Sequence, residues 1–351
     1  MNDETRILPP EDRPQLTPEP SGSDRRARKK GRKRGRSTGQ KWVIRLLILA
    51  IVLVAGVIGV GLLADFRMGE AGELTSLAEG SGTYLIVGTD SRENLPEDVE
   101  GNFGDFEGAR ADVIMLMQAR GDYRQLLSIP RDLKVEIPDN GTNKVNAAYA
   151  FGGPDLLVQT VSQETGIDIN HYIEVDFASF AGIVDSVGGI ELDLEYPARD
   201  AKSGLDLEAG RQTVNGSDAL AYARSRSYEE LIDGEWVSSG GGDIDRTGRQ
   251  REVLLQLISK ATSPSGLIRS PGVLAEVTGQ MKVDSTVSPL TLFQTALGFR
   301  VAGTTQAVSL PVVNSNEGGV AYVVREEPAA TDVINAFASG ESLETAAESV
   351  E

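Results

Sequence analysis

The 351-residue chain contains no cysteine, which removes disulfides, thiolate metal sites and cysteine nucleophiles from consideration. It contains one histidine, His171, so a Ser-His-Asp triad would have to be built on that residue. Its place just before the strand-like run YIEVDF predicts a surface or strand-edge side chain instead. Positive charge is scarce beyond residue 45, where 21 Lys and Arg stand against 46 Asp and Glu. An acidic body of this kind repels nucleic acid, so arginines gathered inside it need a local cause.

The N-terminal 45 residues reverse that balance, with 13 Lys and Arg against 6 Asp and Glu. They lead into LLILAIVLVAGVIGVGLLA at 46–64, which has no charge and is long enough to cross about 30 Å of hydrocarbon. RRARKKGRKRGR at 25–36, Lys41 and Arg45 precede it, while the residues after it are poor in positive charge. The positive-inside rule then puts the N-terminus in the cytoplasm and everything after Asp65 outside. A cleaved signal peptide would have a shorter apolar core, and no small-x-small site follows Leu63, so an uncleaved anchor is expected. The basic run also suits a nucleic-acid arm, but its position against the span favours a disordered, lipid-attracting segment. The expected organisation is a basic cytoplasmic tail at 1–41, a transmembrane helix at 42–64, a linker at 65–82, a catalytic domain at 83–338 and an acidic tail at 339–351.

Three stretches in the outer part join acids and arginines to apolar runs: YLIVGTDSR at 84–92, SIPRDLKVEIP at 128–138 and DIDRTGRQRE at 243–252. Strands are expected at 84–88, 113–117 and 125–129. A turn of about four residues between the last two permits only an antiparallel hairpin. If the first strand joins them as a meander, Asp90, Asp112 and Arg131 converge at one sheet edge. Beyond them, helical patterns at 154–165 and 178–187 mix with strand patterns at 172–177 and 190–194, which indicates an α/β or α+β sandwich. Asn215 can cap a short helix that delivers Arg224 and Arg226. A longer helix at 245–261 carries Val253, Leu254, Leu257 and Ile258 as an apolar stripe. Arg246, Arg249 and Gln250 lie on the same face, nearer its N-terminus. Such a face suits an amphiphile with an anionic head, and equally an arginine pair at the solvated end of a core helix.

The chain resembles the LytR-CpsA-Psr family of cell-wall glycopolymer ligases. The resemblance rests on VGTDSR at 87–92, GARADVIML at 108–116, SIPRD at 128–132, KVNAAYAFGG at 144–153, FASFAGIVDSVGGIEL at 177–192, NGSDALAYARSR at 215–226 and DRTGRQRE at 245–252. These pieces occur in family order after the single span and cover most of residues 83–262. The resemblance implies a central mixed sheet between helices, with an apolar lipid-binding tunnel. It implies an extracytoplasmic phosphotransferase that moves a glycopolymer from a polyprenyl-pyrophosphate carrier to a peptidoglycan hydroxyl, with Mg²⁺ or Mn²⁺ as cofactor. Asp90 and Asp112 match its metal-associated acids and, with Arg131, its catalytic set. Arg110, Arg131, Arg224, Arg226, Arg246, Arg249 and Gln250 match the cluster around the pyrophosphate, with Lys144 and Asn146 in support.

Two departures stand out. The loop between Asp90 and Asp112 is long and acidic (Glu93, Glu97, Asp98, Glu100, Asp105, Glu107), and SYEELIDGEWVSSGGG at 227–242 reads as an insertion, a lid or acceptor-facing loop. The same residues also suit a pyrophosphatase that uses water as acceptor, or a non-catalytic wall- or lipid-binding module. Transcription regulation fits poorly, because only the short basic tail faces the cytoplasm.

Overall fold

Apolar side chains run without a break through residues 84–87 and 113–117, and strands buried on both faces follow from that pattern. The computed structural model describes residues 69–80, 82–90, 110–120, 122–240, 242–263, 281–301 and 304–348. The first elements are strands β1 (Gly69–Glu70), β2 (Thr83–Thr89), β3 (Ala111–Arg120), β4 (Tyr123–Ser128), β5 (Lys134–Ile137) and β6 (Gly141–Lys144). Helix α1 (Val145–Thr165) follows, then β7 (His171–Asp176), α2 (Phe177–Ser186), β8 (Ile190–Leu194), β9 (Ala198–Asp200), β10 (Leu205–Leu207) and β11 (Gly210–Val214). Next come α3 (Gly216–Arg224), β12 (Glu229–Ile232), β13 (Glu235–Ser238), α4 (Gly242–Ala261), β14 (Met281–Val283) and α5 (Pro289–Val301). The last are β15 (Thr304–Ser309), β16 (Val312–Glu317), β17 (Val320–Arg325), α6 (Ala329–Ser339) and α7 (Leu343–Glu348).

The central sheet has seven strands in the order β1-β14-β7-β2-β3-β4-β15. β2, β3 and β4 pair antiparallel as the expected meander, while β7 and β15 pair parallel to β2 and β4, so the sheet is mixed. The pleat sends Leu85, Val87, Leu116 and Leu127 into a core shared with α1 and α6. Tyr84, Met115, Met117, Leu126 and Ile173 point to the opposite face, where Leu254 and Ile258 of α4 and Leu292 of α5 pack. A third cluster joins α2, α3 and β8 to Val253 of α4. Helices therefore cover both sheet faces.

Several expectations change. Helical structure begins at Val145, not 154, and breaks at Gly152 and Gly153, where Gly153 adopts φ 66° before Pro154 restarts the helix. Residues 227–242, read as an insertion, supply β12 and β13 to a four-stranded sheet with β10 and β9. Part of the expected linker docks: β1 pairs with β14, and Leu74 and Leu77 pack on the main core. The acidic C-terminal tail carries α7, whose Leu343 is wholly buried, because one apolar side chain every few residues suffices to seat a short helix. His171, expected at the surface or a strand edge, is the first residue of β7 and is buried, with its ring against Tyr84 and its Nδ1 3.0 Å from Thr286 Oγ1. No helix among the described residues is long and apolar enough to cross a membrane; the expected span at 46–64 and the acidic loop at 91–109 lie outside them.

Candidate functional site

The meander brings three expected residues to one sheet edge. Asp90 follows the last residue of β2, and its Oδ1 accepts from the Arg110 amide at 2.9 Å. Asp112 is the second residue of β3, and its Oδ1 is ion-paired with the Arg131 guanidinium, just beyond β4. Arg131 is also held from behind: Asp132 Oδ2 lies 3.5 Å from its Nε, and Lys144 Nζ lies 2.7 Å from the other oxygen of Asp132. The Asn146 amide donates to the Arg131 carbonyl at 3.2 Å. Lys144 thus meets Asp132, and the Asn146 backbone meets that of Arg131.

Helix α3 delivers the next cation. The side chain of Asn215 caps it by accepting from the Asp218 amide at 2.9 Å, and Arg224 is its last residue. Burial lowers the Arg224 pKa, while the charges of Asp112 and Asp90 oppose that shift and Arg226 adds to it. Arg224 therefore sits within the field of both acids, although they lie on other elements. Arg226 is exposed just beyond the helix.

Asp200 was not expected at this site, yet it fixes the turn after α3. This buried carboxylate accepts from Ser225 Oγ at 2.7 Å, from the amides of Arg226 and Ser227 at 3.0 and 2.8 Å, and from the Lys202 amide at 2.9 Å. Burial pushes its pKa up, but these four donors hold it below the ordinary value.

Beneath α4 lies a cavity of about 270 Å³. Met115 and Met117 of the sheet, Phe180 of α2, Leu254 and Leu257 of α4 and Leu292 of α5 belong to its apolar wall. Among the described residues Arg224 is its one charged lining residue, and Gln250 lines it too, donating to the Ala223 carbonyl at 3.3 Å. Of the three polar residues expected on one face of α4, only Gln250 lines the cavity. Arg246 is buried. Arg249 turns toward the third cluster, where its guanidinium lies 4.6 Å from the Tyr228 ring and donates to the Ser225 carbonyl at 2.6 Å. Burial lowers its pKa, and its Nε is buried without a hydrogen-bond partner.

Asp90 and Asp112 are hard oxygen donors at neighbouring strand ends. No group of three or more metal-ligating side chains stands together among the described residues. Magnesium is commonly held by one or two carboxylates with the remaining ligands from phosphate or water, and Asp90 and Asp112 are donors of that kind.

Fold and site together define an α/β protein with an acid- and arginine-lined sheet edge opening on an apolar cavity, an arrangement that can take an anionic head and an apolar chain at once. The chain belongs to the LytR_cpsA_psr family, whose model matches residues 68–339. The probable cell wall biosynthesis protein LcpB of Corynebacterium glutamicum is 41% identical over 230 residues, which cover 61% of this chain and 53% of that protein. The match thus spans about half of LcpB. The polyisoprenyl-teichoic acid–peptidoglycan teichoic acid transferase TagU of Enterococcus faecalis is 30% identical over 255 residues, 72% of this chain and 77% of that one. Among solved structures, the LytR-Csp2A-Psr enzyme from Actinomyces oris aligns with a TM-score of 0.60 at 29% identity, over 79% of this chain and 98% of that one.

Proposed function

We propose that this chain is a membrane-anchored, extracytoplasmic phosphotransferase. It moves a glycopolymer from a polyprenyl-pyrophosphate carrier to a hydroxyl on peptidoglycan and leaves a phosphodiester link. The observation that carries this reading is the cavity, apolar along its walls and, among the described residues, charged only at Arg224, which feels both Asp90 and Asp112. An isoprenyl chain suits the walls, and its pyrophosphate would then meet the cations at the sheet edge. The names of LcpB and TagU, a cell-wall biosynthesis protein and a teichoic acid transferase, support the same class of reaction.

The pyrophosphate's charges repel an incoming oxygen, and the planar forks of Arg131 and Arg224 reduce that repulsion while orienting the phosphoryl oxygens. Lys144 and Asp132 hold Arg131 in register for this task. Asp90 and Asp112 would hold Mg²⁺ or Mn²⁺, which when bound would neutralise charge developing on the phosphates. Gln250 orients the head at the rim, and the apolar wall keeps water from the lipid side. The 42–64 segment would tether the domain to the leaflet that carries the donor.

The test is to incubate the full chain in lipid nanodiscs with a polyprenyl-pyrophosphate sugar, peptidoglycan oligomers and Mg²⁺, followed by mass spectrometry. A glycan joined to the oligomer through phosphate is expected. Release of a glycan phosphate without joining would make the protein a pyrophosphatase, and an unchanged donor would make it a binding module.

A further inference from the structure

A cation that the transfer scheme does not use lies on the cavity side of the sheet. Arg251 follows Gln250 on α4, which packs against β4 and β15. Its guanidinium donates to Ser309 Oγ at the end of β15. Burial lowers its pKa, and among the described residues no carboxylate offsets that shift. Ser309 stands in register with Ser128 on the adjacent parallel strand, one strand spacing of about 4.8 Å away. Ser128 is fully buried, and its Oγ has no hydrogen-bond partner. A buried hydroxyl left unsatisfied and a half-buried cation with no anion against it among the described residues are both unfavourable in isolation. One tetrahedral anion would relieve both.

The pleat decides which side these groups occupy. Ser128 pairs with Met115, and paired residues share a face; Met115 lines the cavity. Arg251 precedes Leu254 and Ile258 by three and seven residues, so it shares their helix face, and both of those also line the cavity. The cluster therefore lies on the cavity face, over β4 and β15. None of the three is among the residues that line the cavity itself, whereas Arg224 and Gln250 are.

We propose that Arg251, Ser309 and Ser128 form a subsite for the phosphate of an isoprenyl monophosphate, the group that departs during transfer. This rests on the reading of a lipid-linked donor. In the transfer, the acceptor oxygen bonds to the sugar-side phosphorus, and the bond from that phosphorus to the bridging oxygen breaks. The bridging oxygen keeps the electron pair and remains with the isoprenyl phosphate, while the acceptor proton passes to solvent. The departing monophosphate carries more negative charge than it did within the diester. Arg251 and the two hydroxyls give it three donors beside the wall that holds its chain.

The test uses the full chain in lipid nanodiscs with three probes: farnesyl monophosphate, farnesol and inorganic phosphate. Arg251→Gln should weaken farnesyl monophosphate about tenfold and leave farnesol unchanged. Ser128→Ala should weaken it by about threefold without lowering Tm. Inorganic phosphate should compete poorly, since it has no chain to anchor it. In a cycle with Arg224→Gln, additive losses are expected of separate sites. Equal binding of farnesyl monophosphate by native protein and Arg251→Gln would overturn the subsite, as would a parallel loss of farnesol. If native protein bound neither isoprenoid, the lipid-donor reading itself would fall, and the subsite with it.

Discussion

A carboxylate at a strand end serves a metal or an arginine according to what else reaches it, and Asp112 has Arg131 against one oxygen and the field of Arg224 around it. Asp112→Asn and Asp90→Asn should each lower divalent-dependent transfer by about 10²-fold or more, with Tm little changed. Product analysis by mass spectrometry and a thermal melt check this; full transfer by both variants would remove these acids from the chemistry. Asp284 supports a different expectation. Burial pushes its carboxyl up, but His171, the Thr286 hydroxyl and amide, and the Tyr172 amide bring it down to about 2. A carboxylate whose pKa is depressed on folding stabilises fully above its unfolded value, near 3.8, and loses that contribution as pH falls toward about 2. Urea denaturation should therefore show stability falling between those pH values, with a shallower fall in Asp284→Asn; identical slopes would contradict this. Asp112 and Arg131 were legible in the sequence because their positions follow from hairpin length. Asp200 was not, since nothing in PARDAKSG distinguishes it from a surface acid until Ser225, Arg226 and Ser227 fold onto it.

At the scale of elements, the placement of Arg224 depends on α3 lying close to α2. The Asp185 carboxylate of α2 accepts from the Gly216 amide at 2.7 Å, and a Cβ on Gly216 would stand 2.1 Å from the Ala181 carbonyl oxygen. Backbone cannot yield as a side-chain tip can. Gly216→Ala should destabilise by about 2–4 kcal/mol and should lower transfer as the end of α3 shifts. An unchanged urea midpoint would mean that the helices separate freely. The meander, α2, α3 and α4 were legible because each shows its period over a full element. The docking of β1 and α7 was not, because two residues or a lone leucine show no period. Nor could the period of α4 reveal that Arg249 turns to Tyr222 and Tyr228 while Gln250 turns to the cavity, since the stripe is wide and its two edges meet different partners.

For the whole molecule, the charge asymmetry around 46–64 carries the proposal that the acidic body lies outside the cell and the basic tail within. Protease added to intact, wall-stripped cells should digest the body and spare a tag placed ahead of Met1; loss of the tag with survival of the body would reverse the orientation. An anionic head and an isoprenyl chain are proposed to share one site, and chain length is the variable that probes this. Each buried methylene contributes about 0.8 kcal/mol before ordering costs. The five carbons of an isoprene unit set a ceiling of about 4 kcal/mol, and after ordering costs affinity of the full chain for isoprenyl pyrophosphates should still rise by about tenfold or more per added unit, until the cavity is filled. Titration of the five-, ten- and fifteen-carbon compounds against the chain in lipid nanodiscs should give that rise, and an affinity independent of chain length would contradict the account.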